Sequence, residues 1–341
     1  MTLLAEQTWR NLDTHYLQVL QSDWYRLVME LDDVISMQSM LFYAGKGLRT
    51  LHLPITTGTI SSPMGLGSDS SPVRVTIAGQ ETYLADSMQF MLEYGCRVFP
   101  KGTYYIMPSF RGEDADRRHL CQFYHSEAEI SGSLEDVMRF IEDYVGHVSR
   151  AVLDRLGDKV AEVAGGVDHI TDLLGQQGNI PRIRHSEAID LLNGRLSGGD
   201  THCRHAEGFD VITHAGEQRL MEYAGGPVWL THFDHASVPF YQAFEDECGQ
   251  YALNADLLLG IGETVGCGER HQSPADVQRA LDMHQVARDE YEWYCRMKEG
   301  MPLQTSGFGM GIERYLLWVL RHDDIRDCQV LPRFNGVDCL P

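Results

Sequence analysis

The stretch "SFRGEDADRRHLCQFYHSEAEI", Ser109 to Ile130, decides how this chain is read. Its approach, "TYYIMPSF", is aromatic and β-branched enough for a strand, and its exit, "CQFYHSEAEI", alternates polar and apolar residues as a half-buried strand does. Between them, the eight residues Arg111 to Arg118 hold three acids and three arginines. A hairpin carrying such a loop has a plain explanation in a solvated turn. The concentration of both charge signs raises the other possibility, a loop that grips a ligand, and the rest of the chain has to choose between them.

Composition excludes several classes. With 341 residues, 43% hydrophobic and 23% charged, the chain can bury one large core or two moderate ones. The formal net charge is −21, from 49 acidic against 28 basic side chains, so the average surface repels polyanions and nucleic acid would need a local basic patch. Eight cysteines lie far apart without a CxxC pair, which reads as reduced thiols in a cytoplasmic protein. The opening "MTLLAEQTWRNLDTHYLQVL" is too polar for a signal peptide or a membrane span, and no other run reaches membrane length.

Residues 5–50 read mostly as helix, from the spacing of Leu17, Leu20, Trp24, Leu27, Val28 and Leu31. The Gly-, Pro- and Ser-rich stretch 53–73 is a long loop after a short strand. Ser133 caps a strong helix with an apolar stripe through Leu134, Val137, Met138, Ile141, Tyr144 and Val148, which should pack across the sheet. A second helix is expected from Ser273 to a stop at Gly300, and a short one over "SEAIDLLN" between two connections, "GGVDHITDLLGQQGNIPRI" and "LSGGDTHCRHAEGFD". No repeat or low-complexity linker divides the chain, so one domain over 1–341 is expected.

Two further segments carry chemistry. In "NADLLLGIGETVGCGERH" (254–271), Asp256 and Glu263 are seven residues apart among four glycines, and an extended strand with a glycine irregularity would turn both acids to one side. Such a pair suits Mg²⁺, which takes carboxylate and phosphate oxygens together. In "SGFGMGIERYLLWVL" (306–320), glycines at 307, 309 and 311 clear one face of a strand before Glu313 and Arg314 begin an apolar helix. The spacing is neither a dinucleotide fingerprint nor a phosphate loop. "THCRH" matches no common zinc spacing.

Taken together and in this order, the three segments resemble the class II aminoacyl-tRNA synthetases, within them the aspartyl/asparaginyl subgroup. The resemblance runs from about Tyr83 onward and includes "YLADSMQFMLE", "PRIRHSEAIDLL", "PFYQAF", "GIGETVGCGERH" and "GFGMGIER". It implies an α+β fold, a mostly antiparallel sheet flanked by helices, with the region of about 35–60 in a homodimer interface. It implies ATP and Mg²⁺ at the site. Arg111 would hold the α-phosphate where a carboxylate attacks, Glu113 the adenine amino group, and Arg118 and His119 the terminal phosphates. Phe123 and Arg314 would sandwich the adenine, Asp256 and Glu263 would hold the metal, and Gln89, Glu127 and Arg270 would meet the acid. Arg111 and Arg314 are the expected catalytic groups, since fixed guanidinium groups stabilise charge developing on phosphate oxygens.

Aspartate-specific relatives carry a lysine where this chain has Leu92, and asparaginyl relatives look the same as this chain there. Two departures shape the functional expectation. Relatives present an acid and a glycine after the proline that Pro54 represents, to receive the substrate's α-amino group, whereas this chain has no acid before Asp69. About fifty largely helical residues precede the first motif, too few for the subgroup's anticodon-reading barrel. With the charge of −21, these point away from tRNA and toward an AMP-forming ligase that activates aspartate or a related small acid and transfers it to ammonia or a small amine. An asparagine–tRNA ligase without its barrel and a non-catalytic nucleotide-binding regulator are the alternatives.

Overall fold

The computed structural model describes residues 4–62, 66, 71–198, 201–206 and 208–338. Helices α1 (Leu12–Val19) and α2 (Asp23–Lys46) precede strands β1 (Arg49–Thr50), β2 (Thr56–Thr57), β3 (Val73–Ile77) and β4 (Gln80–Leu84). Helix α3 (Gln89–Cys96) leads into the hairpin β5 (Thr103–Phe110) and β6 (Gln122–Ser131). Next come α4 (Leu134–Ala164), α5 (Asp168–Gln176), β7 (Arg182–Arg184), α6 (His185–Asn193), the hairpin β8 (Cys203–Ala206) and β9 (Phe209–Ile212), α7 (His214–Ala224) and β10 (Val228–Thr231). The remaining elements are β11 (Asn254–Leu259), β12 (Gly262–Glu269), α8 (Pro274–Met283), α9 (Glu292–Gly300), β13 (Thr305–Gly311) and α10 (Ile312–Leu320).

Eight strands form the main sheet in the order β1-β5-β6-β13-β12-β11-β10-β7. Only the outermost pairs, β1 with β5 and β7 with β10, are parallel, so the expected mostly antiparallel α+β sheet is what forms. Each central strand sorts its residues by parity, because successive side chains point to opposite faces. Ala128 and Ile130 of β6, Phe308 and Met310 of β13, Val265 and Cys267 of β12, and Ala255, Leu257 and Leu259 of β11 enter one core. Glu127 and Glu129, Gly307 and Gly309, Gly266, and Asp256 occupy the alternate positions of the same strands. One face is therefore greasy and the other carries acids over a glycine floor.

Helix α4 covers the greasy face. Its start is fixed by a capping box in which the Ser133 side chain accepts from Asp136 N and the Asp136 carboxylate accepts from Ser133 N. Its stripe from Leu134 to Val152 is buried in the core. Helix α2 packs on α4 through Phe42 and Phe140, whose ring centroids are 5.2 Å apart, and a Ser39–Tyr144 hydroxyl contact of 2.7 Å.

Three local expectations fail. The helix expected over 273–300 breaks into α8 and α9, because Gln285 adopts a left-handed φ of 59° and the amides of Gln285 and Val286 turn back onto Asp282 and Leu281. The two supposed connections contain α5 and the β8–β9 hairpin. In the long 53–73 loop, β2 pairs with β4, while residues 63–65 and 67–70, including Asp69, lie outside the described residues.

Candidate active site

The β5–β6 hairpin and α10 build the first half of the site. All seven residues expected to bind ATP, namely Arg111, Glu113, Arg118, His119, Phe123, Glu263 and Arg314, line one cavity of about 340 Å³. The charged loop thus turns Arg111, Glu113 and Arg118 toward a cavity, while Asp114, Asp116 and Arg117 stay exposed. Asp116 shapes its tip by accepting from the amides of Arg118 at 2.7 Å and His119 at 2.8 Å. The Arg111 guanidinium stands 5.7 Å from the Phe123 ring centroid. Arg314 donates to the Glu263 carbonyl at 2.8 Å, which fixes its guanidinium across the cavity from β6. Glu113 accepts from Ser71 N at 3.0 Å through one oxygen, and its other oxygen is buried without a partner. His119 is largely exposed and leans on Asp116 at 3.0 Å.

The two acids expected to hold a metal sit differently from the expectation of a single strand. Asp256 is on β11 and Glu263 on β12, in a hairpin whose turn needs Gly260 and Gly262 at φ of 56° and 130°. A bulge between Leu257 and Leu258 shifts the register and lets both acids face the same glycine. A side chain placed on Gly266 would stand 2.9 Å from Glu263 Oε1 and 3.4 Å from Asp256 Oδ1, so the two carboxylates converge above it. Burial first, and then the Glu263 and Glu217 carboxylates, push Asp256 well above its ordinary pKa. Burial and the neighbouring carboxylates outweigh the opposing Arg314 charge, and two converging carboxylates of this kind are the hard-oxygen donors that Mg²⁺ takes.

A second cavity of about 330 Å³ lies beside the first and is lined by Gln89, Glu127 and Arg270, with Asp256 at its edge. Arg111, His125, Glu263 and Gly309 line both cavities. Arg270 is fixed by two bonds to Glu129, from Nε to Oε1 at 3.1 Å and from Nη2 to Oε2 at 3.0 Å, and donates to Gln242 at 3.1 Å. Burial works against the Arg270 charge, but Glu129 and Tyr241 raise its pKa and hold it protonated. Glu127 accepts from Ser87 Oγ at 2.6 Å and from the Tyr105 hydroxyl, and faces His125 Nδ1 at 3.0 Å. Burial alone would raise Glu127, yet the His125, Ser87 and Tyr105 contacts outweigh it and hold the carboxyl below its usual range. A larger cavity of about 600 Å³, around His169 and Trp318, contains none of these groups.

The sequence matches the family described as tRNA synthetases class II (D, K and N) over residues 9–335. The chain belongs to that family. The asparagine–tRNA ligase of Chloroflexus aurantiacus is 33% identical over 261 residues, covering 74% of this chain and 57% of the relative. That of Koribacter versatilis is 27% identical over 277 residues, covering 80% and 62%. The chain thus spans less than two thirds of the length of these relatives. In fold, it superimposes on the asparaginyl-tRNA synthetase of Pyrococcus horikoshii complexed with asparaginyl-adenylate with a TM-score of 0.86 at 23% identity, covering 96% of this chain and 73% of that one. The corresponding Entamoeba histolytica complex gives a TM-score of 0.82 at 23% identity, with 96% and 72% covered. Relatives that are tRNA ligases lend no support to the expectation that tRNA is an unlikely partner.

In this family member, the described residues contain ten buried side-chain polar atoms without a hydrogen-bond partner; Gln89 Nε2, Arg111 Nε, Glu113 Oε2 and Arg118 Nε among them line the two cavities, and Glu217 Oε2 lies beside Arg118. Buried polar groups are normally paired, so this concentration is what a cavity able to take a polar ligand would show. Two charged residues at the candidate site, Glu129 and Glu217, escaped the sequence reading. Glu129 could have been found, since it follows Glu127 by two residues on one strand and must share its face. Glu217 could not: it comes from α7, stands 3.6 Å from Arg118 Nη2, and is pushed up to about 7 by burial and by Glu263. Nothing in "HAGEQRL" distinguishes it from a surface helix acid. No helix is long and apolar enough to cross a membrane.

Proposed function

We propose that the chain condenses ATP with a small acid bearing an ammonium group and a neutral amide end, asparagine or a close analogue, to give an acyl-adenylate and pyrophosphate. The sharing of Arg111 between the two cavities carries this reading. An acid in one cavity and a triphosphate in the other would meet there, with the carboxylate oxygen bonding to the α-phosphorus as the bond to the departing pyrophosphate breaks. Arg111, with Arg314 opposite, would face the charge that accumulates on the nonbridging oxygens, and Arg118 would face the pyrophosphate. Mg²⁺ held by Asp256 and Glu263 would neutralise part of the phosphate charge. Gln89, whose amide nitrogen lacks a partner, would donate to the acid.

Two observations support a neutral side-chain end. Arg270 already has its counter-charge in Glu129, and Leu92, where aspartate-specific relatives place a lysine, is buried in an apolar cluster with Ala85 and Met88. Apart from Arg111, which this reading gives to the α-phosphate, an acid's second carboxylate would therefore find no uncompensated guanidinium or ammonium group among the described residues that line the cavity. Glu127, kept ionised in the lining of the same cavity, supports an ammonium group on the substrate. This favours an α-amino acid despite the missing loop acid.

The similarity to asparagine–tRNA ligases makes a tRNA hydroxyl the first acceptor to consider. Ammonia or a small amine is the second, and the net charge of −21 favours it. We further infer one catalytic domain in a cytoplasmic homodimer, consistent with Met29, Met37, Met40 and Leu41 of α2 being exposed. ATP–pyrophosphate exchange with asparagine, aspartate and non-amino dicarboxylic acids tests the first step. Exchange with asparagine above the others supports the reading, and the acceptors are then compared by product formation. Absence of exchange with every acid leaves a nucleotide-binding regulator instead.

A further inference from the structure

The wall of the acid cavity facing Gln89 and Glu127 is built in a way that the known chemistry does not account for. The segment after β2 enters the cavity at Ser61 and Ser62, and the carboxylate of Asp86, two residues beyond β4, holds it there. Asp86 Oδ1 accepts from Ser61 N at 3.1 Å, and Oδ2 accepts from Ser61 Oγ at 2.8 Å and Ser62 N at 2.8 Å. Both Ser61 and Asp86 are buried, at 2% and 6% exposure. From the other side, the Tyr291 hydroxyl donates to Ile60 O at 3.0 Å and Trp293 Nε1 donates to Thr59 Oγ1 at 3.2 Å. Residues 59–62 are thus clasped between the sheet side and the α9 side.

We propose that Asp86 is a positioning residue for acid recognition: its clamp makes Ser61 and Ser62 a fixed wall of the acid cavity and so sets which acids fit. The proposal rests on the reading of this cavity as the acid site. Between Pro54 and Asp69 the chain has no acid of its own, so the negative charge that organises this segment comes from Asp86 instead. Bonds to an ionised acceptor are roughly twice as strong as neutral ones, and two adjacent amides facing a cavity need acceptors that a neutral side chain supplies only in part. A carboxylate offers about four acceptor positions, enough for three donors at once, whereas an asparagine amide offers about two on its single oxygen and adds donors that oppose the Ser61 and Ser62 amides.

The test uses the full chain and the variants Asp86→Asn and Ser61→Ala. Hydrogen–deuterium exchange without ligand reads the clamp independently of turnover. Exchange at the Ser61 and Ser62 amides should quicken at least about tenfold in Asp86→Asn, the scale for losing a bond to a charged acceptor, and less in Ser61→Ala. Unchanged exchange overturns the clamp. ATP–pyrophosphate exchange then reads recognition: the KM for L-asparagine should rise about tenfold and the preference over L-glutamine should shrink, while the ATP KM and kcat move less than about threefold. Equal losses for ATP and asparagine, or an unchanged asparagine KM with the amides deprotected, overturn the positioning role. Wild-type protein that exchanges with no acid overturns the functional reading and this role with it, and the deuterium data still decide whether the clamp exists.

Discussion

Replacing Arg111 by alanine removes the one guanidinium among the described residues that borders both cavities. Among the described residues no carboxylate pairs with it, and its Nε is buried without a partner, so its donors are held ready for a ligand rather than spent within the fold. Its visible internal contact is the Phe123 ring at 5.7 Å, worth about 0.5–1 kcal/mol, so the variant should remain folded. Loss of one preorganised charge contact to a transition state costs about 3 kcal/mol, or roughly a 100-fold fall in rate. The assay is ATP–pyrophosphate exchange with asparagine, alongside a thermal scan. Arg111→Lys should fall between, because it keeps a charge but loses the planar fork that pairs in two places. Exchange within about threefold of wild type in a folded Arg111→Ala protein would refute the placement of the α-phosphate, since a contact worth 3 kcal/mol cannot vanish at so small a cost.

Four other outcomes follow from the geometry. The folded pKa of Asp256 is raised, so the stability linked to its proton is present below its unfolded value near 4 and lost as pH rises. Without Mg²⁺, Asp256→Asn should therefore melt above wild type at neutral pH and lose that advantage in acid, while Mg²⁺ should raise the melting temperature of wild type only. Glu217 behaves alike over the window from 4.5 to about 7, so Glu217→Gln should flatten the fall in thermal stability across that range. Glu129→Gln leaves Arg270 without its counter-charge; the ratio of kcat/KM for asparagine over aspartate should drop at least about tenfold, and stability should fall by about 3–5 kcal/mol, read by exchange kinetics and denaturant titration. Ser133→Ala breaks the capping box of α4 and should cost about 1 kcal/mol with the exchange rate unchanged.

Where the sequence reading succeeded, short-range periodicity carried it. The alternation in "CQFYHSEAEI" marked a half-buried strand, the alternate glycines of "SGFGMG" marked a strand with one cleared face, and the apolar stripe after Ser133 located α4. The floor has to be glycine: a side chain at Gly307 would stand 2.7 Å from Arg270 Nη2 and collide with the Glu129 carboxylate. Where the reading failed, local signals competed. The stretch 273–300 keeps helical composition throughout, yet the turn at Gln285 splits it so that Leu281 of α8, Tyr291 of the connection and Tyr294 of α9 pack into one cluster. Propensity does not encode that packing.

The order of residues by itself determined which side chains share a strand face, where helices start, and that arginines and carboxylates alternate with glycines in three segments. Those properties arise within about ten residues, from backbone geometry alone. Tertiary structure decided which segments meet: that Arg111 borders two cavities, that Glu217 reaches Arg118 from α7, that Glu129 claims the charge of Arg270, and that Asp86 clasps Ser61. Each of these joins elements from separate parts of the sheet and its covering helices, and their partners are set by strand order and burial, which no local pattern in the chain expresses.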